Sequence, residues 1–202
     1  MTFDLEMVQK AREGWFDAKE FLDEKYEPFQ KIPRLSRMCT VTEKIDGTNA
    51  AVRVYEDGSV RAASRTRWIT PEDDNFGFAA WVRDNADELR RLGVGLHRGE
   101  WWGKGIQRNY GLDHRRFSLF NTSIWNKGNK PSCCHVVPVL YEGVFSTNRI
   151  YGVLEGLFWG GSQVAPEFSK PEGIIVYHHA AGTYFKKTLE KDDEPKGKQN
   201  AA

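Results

Sequence analysis

The run VTEKIDGTNAAVRVY, residues 41–55, sets a lysine between two short apolar stretches and follows it at once with Asp46, Gly47, Thr48 and Asn49. Val41 precedes Lys44, and Ala50, Val52 and Val54 follow it at the two-residue spacing of strands with one buried face. Asp-Gly between two such runs is turn chemistry, because glycine tolerates backbone angles that other residues resist. The pattern predicts strand, tight turn, strand. A lysine at that strand end is either a solvated charge or a group that has to reach something.

The same alternation continues down the chain. MCTVTEK, NAAVRVY and SVRAAS read as strands, the last two joined by a turn at Asp57 and Gly58. LHRGEWW, RFSLFNTSIW, PVLYEGVF, EGIIVYHH and TYFKKTL are further strand candidates. TPEDDNFGFAAWVRDNADELRRL reads as helical, with Thr70 as cap, Pro71 in the first turn, acidic residues early, and Arg90 and Arg91 late. TNRIYGVLEGLF predicts another helix, and residues 4–26 a further one that Gly14 interrupts. This order predicts an α+β fold with a largely antiparallel sheet, its apolar face covered by helices or a second sheet. At 202 residues the expectation is one domain, 1–202: a helical N-terminal segment over 1–30, a core over 38–188, and a loose polar tail over 190–202.

Composition narrows the function classes only slightly. A formal net charge of +1 supplies no global attraction for nucleic acid, although one face can still be basic. No apolar run has the length of a membrane span, and the N-terminus lacks the basic and apolar regions of a signal peptide. The three cysteines include the adjacent pair Cys133 and Cys134, a poor disulfide framework that favours a reducing cytoplasm. Cys133-Cys134-His135 lacks zinc-ligand spacing, and Gly103-Lys104-Gly105 lacks the spacing of a phosphate-binding P-loop.

Several other residues could carry chemistry with Lys44. Arg65 follows the third strand in SRTR, Glu100 lies in GEWWGKGIQ, and Phe120 ends RFSLF. Glu172 lies in PEGIIVYH, and Lys186 and Lys187 in YFKKTL. Taken singly, each has a bland reading: Lys44 an exposed charge before a hairpin, Phe120 a core side chain, Glu100 an edge charge, the two lysines a solvated pair. Their order is what joins them.

That ordered set resembles motifs I, Ia, III, IIIa, IV and V of the covalent nucleotidyltransferases, the superfamily of DNA ligases, RNA ligases and mRNA capping enzymes. EKIDGTN, SRT, PEDDNFGF and GEWWGKGIQRN are most similar to the RNA ligase 2 branch known from bacteriophages and RNA-editing ligases, over about residues 38–190. The resemblance implies a ligase adenylylation core, ATP-grasp-like, of antiparallel sheets packed with helices around a nucleotide cleft. It implies an ATP-dependent RNA ligase that forms a lysyl-AMP, passes AMP to a 5′-phosphate and joins that end to a 3′-hydroxyl. A DNA ligase, a capping-type guanylyltransferase and a non-catalytic module that binds nucleic-acid ends are the alternatives. The location implied is cytoplasmic, the host cytoplasm for a phage protein.

By the same resemblance Lys44 is the nucleophile. An amine with an ordinary pKa of about 10.4 needs burial or cationic neighbours to react, and Lys186 and Lys187 would be those neighbours. Glu43, Ile45 and Asn49 would line the nucleotide, Glu100 would accept from the ribose, and Phe120 would stack on the adenine. Arg65 would meet the ribose or a nucleic-acid phosphate, and Glu172 would hold metal-bound water for Mg²⁺ or Mn²⁺. Two departures stand out. The branch has motif V lysines two apart, on one strand face, whereas here Thr188 occupies the second position and Lys187 should face the other way. The chain also ends about 15 residues after Lys187, so the expectation is no separate C-terminal domain, and nucleic acid gripped by this surface or with a partner.

Overall fold

The computed structural model describes residues 27–190 and 192. The chain divides into two units, Met1–Pro33 and Arg34–Ala202. Residues 27–33 of the first form no helix or strand. The helix predicted over 4–26 and the tail beyond Asp192 lie outside the described residues.

Among the described residues of the second unit, ten strands form two sheets. They are β1 Met38–Lys44, β2 Thr48–Val54, β3 Val60–Ser64, β4 Trp68–Ile69, β5 Gly95–Gly103, β6 Arg115–Leu119, β7 Cys134–Val136, β8 Val139–Val144, β9 Gly173–His178 and β10 Thr183–Thr188. One sheet has the order β10-β9-β1-β8, the other β4-β3-β2-β5-β6-β7. Helices and strands are mixed and the sheets are antiparallel-rich; β6–β7 is the parallel pairing among those described. The predicted Asp57-Gly58 turn is present, with Gly58 at φ 78° and the Asp57 carboxylate accepting from the Ser59 amide at 2.8 Å.

The helix expected from Thr70 begins later. α1 spans Phe78–Asp84, and a short α2, Ala86–Leu89, follows. The residue that closes the start of α1 is Asp74, whose carboxylate accepts from the Ala79 and Ala80 amides at 2.7 and 3.0 Å. Asp74 thus satisfies helix-start donors that a cap at Thr70 is too early to reach. Leu119 ends β6, so the expected strand through Trp125 stops short. α3, Thr147–Gly160, matches the predicted helix and ends at Gly161, which has φ 75°.

Each sheet buries one face. Cys39, Val41, Ile174 and Val176 pack against Ile150, Leu154 and Leu157 of α3. Ala50, Val52, Val54, Trp101, Phe117 and Leu119 pack against Phe78, Ala79 and Val82 of α1. At roughly 1.5–3 kcal/mol for each large side chain removed from water, these two faces supply most of the drive to form the sheets. A third cluster of Ile45, Trp102, Tyr110, Val137 and Ala165 sits where β1 passes into β2, immediately after Lys44.

Candidate active site

Strand alternation separates neighbours here. Glu43 and Lys44 end β1 and point to opposite faces. The Glu43 carboxylate turns under the loop after α3, where it accepts from Ser162 Oγ at 2.6 Å, the Gln163 amide at 2.7 Å and the Val164 amide at 3.2 Å. Burial pushes its carboxyl above the ordinary range, with those three donors pulling the other way. The Glu43 side chain is 1% exposed and lies on the strand face opposite to Lys44. Ile45 is likewise a core residue of the cluster between the sheets, 4% exposed.

On the other face, Lys44 Nζ lies 2.5 Å from Glu172 Oε2, with Glu172 almost wholly buried. In register, Lys44 opposes Gly173, which opposes Thr188; one step along, Thr42 opposes Ile175, which opposes Lys186. Residues directly opposite in antiparallel strands share a face. Lys44, Lys186 and Thr188 therefore share one face of the sheet, and Lys187 takes the other. Lys187 Nζ pairs with Asp192 at 2.5 Å and stands 5.4 Å from the centre of the Tyr151 ring on α3. No bulge interrupts β10, so the second motif V position on the Lys44 face belongs to Thr188.

The six-stranded sheet brings its own groups to Lys44. Glu100 on β5 opposes Asn49 on β2, and its carboxylate accepts from Asn49 Nδ2 at 2.9 Å and from the Gly47 amide at 3.1 Å. A Cβ at Gly47 would lie 2.5 Å from the Trp101 carbonyl oxygen and 3.0 Å from Glu100 Cγ, so only glycine lets the turn sit this close to β5. Burial raises the Glu100 pKa to about 7; Asn49, the Lys44 charge and Gly47 oppose that rise, and Glu172 adds to it. Across β6, Glu100 opposes the fully buried Ser118, which takes the Trp102 indole N–H at 2.9 Å. Phe117 and Leu119 face the core, so Phe120 falls on the Ser118 side. Its amide donates to the Arg98 carbonyl at 3.0 Å and its ring is 37% exposed. Phe120 is thus an open aromatic face two positions from Ser118. Arg65 stands exposed at the turn between β3 and β4.

Arg108 lies within GEWWGKGIQRN, a stretch that carries the family resemblance, yet neither it nor Tyr110 was assigned a role from the sequence. Tyr110 Oη accepts the Asp46 amide at 2.8 Å, and Arg108 Nε donates to Asp46 Oδ2 at 3.0 Å. Both lie in the stretch GKGIQRNYG, where Gln107, Asn109 and Tyr110 all have positive φ without being glycine. Burial holds the Tyr110 hydroxyl well above its ordinary pKa, so it stays protonated. Among the described residues no group of three or more His, Cys, Asp or Glu side chains is placed to hold a metal ion. Nor is any described helix long and apolar enough to cross a membrane.

The family model for RNA ligases matches residues 37–188, well over half the chain, and the chain belongs to the RNA ligase family. Among solved structures, a Naegleria gruberi RNA ligase mutant with AMP and Mn is similar, with TM-score 0.55 and 18% identity over 76% of this chain and 50% of that one. A second mutant, with ATP and Mn, gives 0.55 at 19% identity over 76% and 50%. An apo mutant gives 0.57 at 19% over 75% and 49%. At this identity the likeness is one of fold, and the chain spans about half the length of those ligases. A comparison with curated proteins gives no match.

Proposed function

We propose that this chain carries the adenylyltransferase site of an ATP-dependent RNA ligase, with Lys44 as the nucleophile. The observation that carries the reading is the single face holding Lys44 and Lys186, with Glu172 paired to Lys44 beside the buried Glu100, all within the span that the RNA ligase family model matches.

The neutral Lys44 amine attacks the α-phosphorus of ATP, the bond to the β-phosphate oxygen breaks, pyrophosphate leaves and the nitrogen loses a proton. A 5′-phosphate oxygen of RNA then displaces Lys44 from AMP, and the amine regains its proton. A 3′-hydroxyl finally attacks the 5′-phosphorus, AMP leaves and the new phosphodiester forms. Glu172 orients the Lys44 amine, and Lys186 on the same face offsets charge gathering on the phosphates. Glu100, when ionised, accepts from the ribose, and Phe120 offers its open face to the adenine. Arg65 is placed at an exposed turn to meet a phosphate of the end being joined.

The donor set suits a hard divalent ion that arrives with the nucleotide rather than a cage of protein ligands. Glu172 would be its one carboxylate, reached through water, with the remaining oxygens from phosphate. Mg²⁺ or Mn²⁺ bound there would supply charge neutralisation for the leaving pyrophosphate. The test is incubation with α-labelled ATP, or α-labelled GTP, and Mg²⁺ or Mn²⁺, followed by denaturation. Covalent, acid-labile label from ATP that Lys44→Ala abolishes is the expected result. Label from GTP would indicate a capping activity instead. A second reading has one observation in its favour: Thr188, not lysine, shares the Lys44 face. A non-catalytic module that binds RNA ends would bind 5′-phosphorylated RNA and take no label with either nucleotide.

A further inference from the structure

Arg108 lies on the loop between β5 and β6 and touches three other segments. Nε donates to Asp46 Oδ2 at 3.0 Å, two residues after Lys44. Nη1 donates to the Lys170 carbonyl oxygen at 3.0 Å, two residues before Glu172. Nη2 lies 3.8 Å from Glu190 Oε2, just past the end of β10, the strand that carries Lys186. The guanidinium is planar with its donors in a fixed fork, so these contacts fix the relative positions of the segments and not merely their charge. The Arg108 and Asp46 side chains are 25% and 15% exposed, which shields the pair from much of the screening that weakens surface bridges.

The loop that aims Arg108 is itself held in an unusual shape. Gln107, Asn109 and Tyr110 have φ of 45°, 61° and 52°, a region in which non-glycine residues are uncommon. Positions like these persist where the surroundings hold them. Here the holding contacts come from Asn109 and Tyr110. The Asn109 side chain accepts the Gly105 amide at 2.7 Å. Tyr110 is 2% exposed, packs edge-on to Trp102 and lies against Phe168, and its hydroxyl takes the Asp46 amide.

We infer that Arg108 is a positioning residue. It ties the turn after Lys44 to the segment before Glu172 and the segment after Lys186, and so sets the geometry in which the Lys44–Glu172 pair forms. The inference rests on the reading of Lys44 as the reactive amine only for its effect on rate; the effect on Lys44 itself is independent of it. No single residue spacing contains this, because the four segments are far apart in sequence and only the fold brings them to one guanidinium.

The experiment compares wild type, Arg108→Ala and Arg108→Lys by two readouts on the full chain, with thermal unfolding as the folding control. The first is competitive acetylation of Lys44 by acetic anhydride, read by peptide mass spectrometry against the exposed Lys104. Loosening the pair should raise Lys44 labelling about 3- to 10-fold in Arg108→Ala while Lys104 is unchanged. The second is single-turnover lysyl-AMP formation. Its rate at saturating ATP should fall about 10- to 100-fold while the ATP concentration giving half the maximal rate moves less than about 3-fold. Arg108→Lys should recover unfolding temperature but not rate, because an ammonium cannot span the three acceptors. Pairing Arg108→Ala with Asp46→Asn should cost little beyond the worse single change. Unchanged Lys44 acetylation in a folded Arg108→Ala protein would overturn the inference, as would a rate fully restored by lysine. A wild type that takes no label from ATP would sink the ligase reading alone, and the acetylation readout would still decide the role of Arg108.

Discussion

The two sheets carry the candidate site on very different supports. Glu100 and Phe120 stand on the six-stranded sheet, whose other face is filled by Trp101, Phe117 and Phe78, with ring centres 5.1–5.3 Å apart from Phe78 to the other two. Lys44 and Lys186 stand on the four-stranded sheet, which one helix covers. Around that helix and the edge strand, large side chains stay open: Tyr184 and Phe185 are 65% and 54% exposed, and Trp159 of α3 is 81% exposed. A densely packed support holds Glu100 and Phe120, the groups proposed to meet ribose and adenine, in fixed places. A thinly covered support leaves Lys44 and Lys186, proposed to act on the phosphates, in the part of the molecule that opens more cheaply. On the proposed roles, preorganisation belongs to the six-stranded sheet and compliance to the four-stranded sheet.

The largest expected effect falls on the four-stranded sheet alone. Lys44→Arg keeps a cation for the buried Glu172 but removes the amine, so lysyl-AMP formation should drop by on the order of a thousandfold or more. Its unfolding temperature should stay close to wild type. Loss of label together with a collapse in stability would mean the change acts through the fold. Stability should show the opposite asymmetry. In urea titrations Phe117→Ala should cost about 3–5 kcal/mol, against about 2 for Leu154→Ala, which is 8% exposed on α3. Equal costs would remove the distinction between the supports.

Within β10 the contrast is finer. Lys186→Ala should slow adenylylation about 10- to 100-fold, and Lys187→Ala less than about 3-fold, because strand alternation puts Lys187 against Asp192 and Tyr151. Equal losses would show that Lys187 reaches the nucleotide after all. The smallest effect depends on pH. Folding raises the Glu100 pKa from its ordinary 4.5 to about 7, so the folded state binds that proton more tightly. The resulting stability is full below pH 4.5 and is lost as pH rises through about 7. Glu100→Gln removes this loss, and at pH 8 it should be about 1–3 kcal/mol more stable relative to wild type than it is at pH 5. The same group should make half-saturation by ATP worsen as pH falls below about 7, since a protonated Glu100 accepts poorly from a ribose hydroxyl. An unchanged ATP requirement from pH 6 to 8 would remove Glu100 from nucleotide binding.

Much of this was legible in the chain before folding. Alternation in VTEKIDGTNAAVRVY marked β1, the turn and β2, and TNRIYGVLEGLF marked α3, because periods of 2 and 3.6 are local properties. The same local rule put Thr188 on the Lys44 face and Lys187 on the other. It also put Glu43 opposite to Lys44, although resemblance alone had grouped the two around a nucleotide. α1 was misplaced because its closing residue, Asp74, acts on amides five and six positions ahead, and Thr70 offered an equally good local signal.

What the sequence determined by itself was therefore most of the elements, though not the short β4 and β7, the family to which the chain belongs and the alternation of side chains along each strand. Each depends on neighbours a few positions apart or on motifs read in sequence. What only the tertiary structure decided was which charges meet. Glu172 lies 128 positions from Lys44 and Arg108 lies 62 from both Asp46 and Lys170, yet each pair closes to within hydrogen-bond distance. Such contacts follow from strand register and from a loop held at positive φ by its packing. Neither leaves a periodic mark in the chain, because the free energy that selects them comes from burial shared among distant segments.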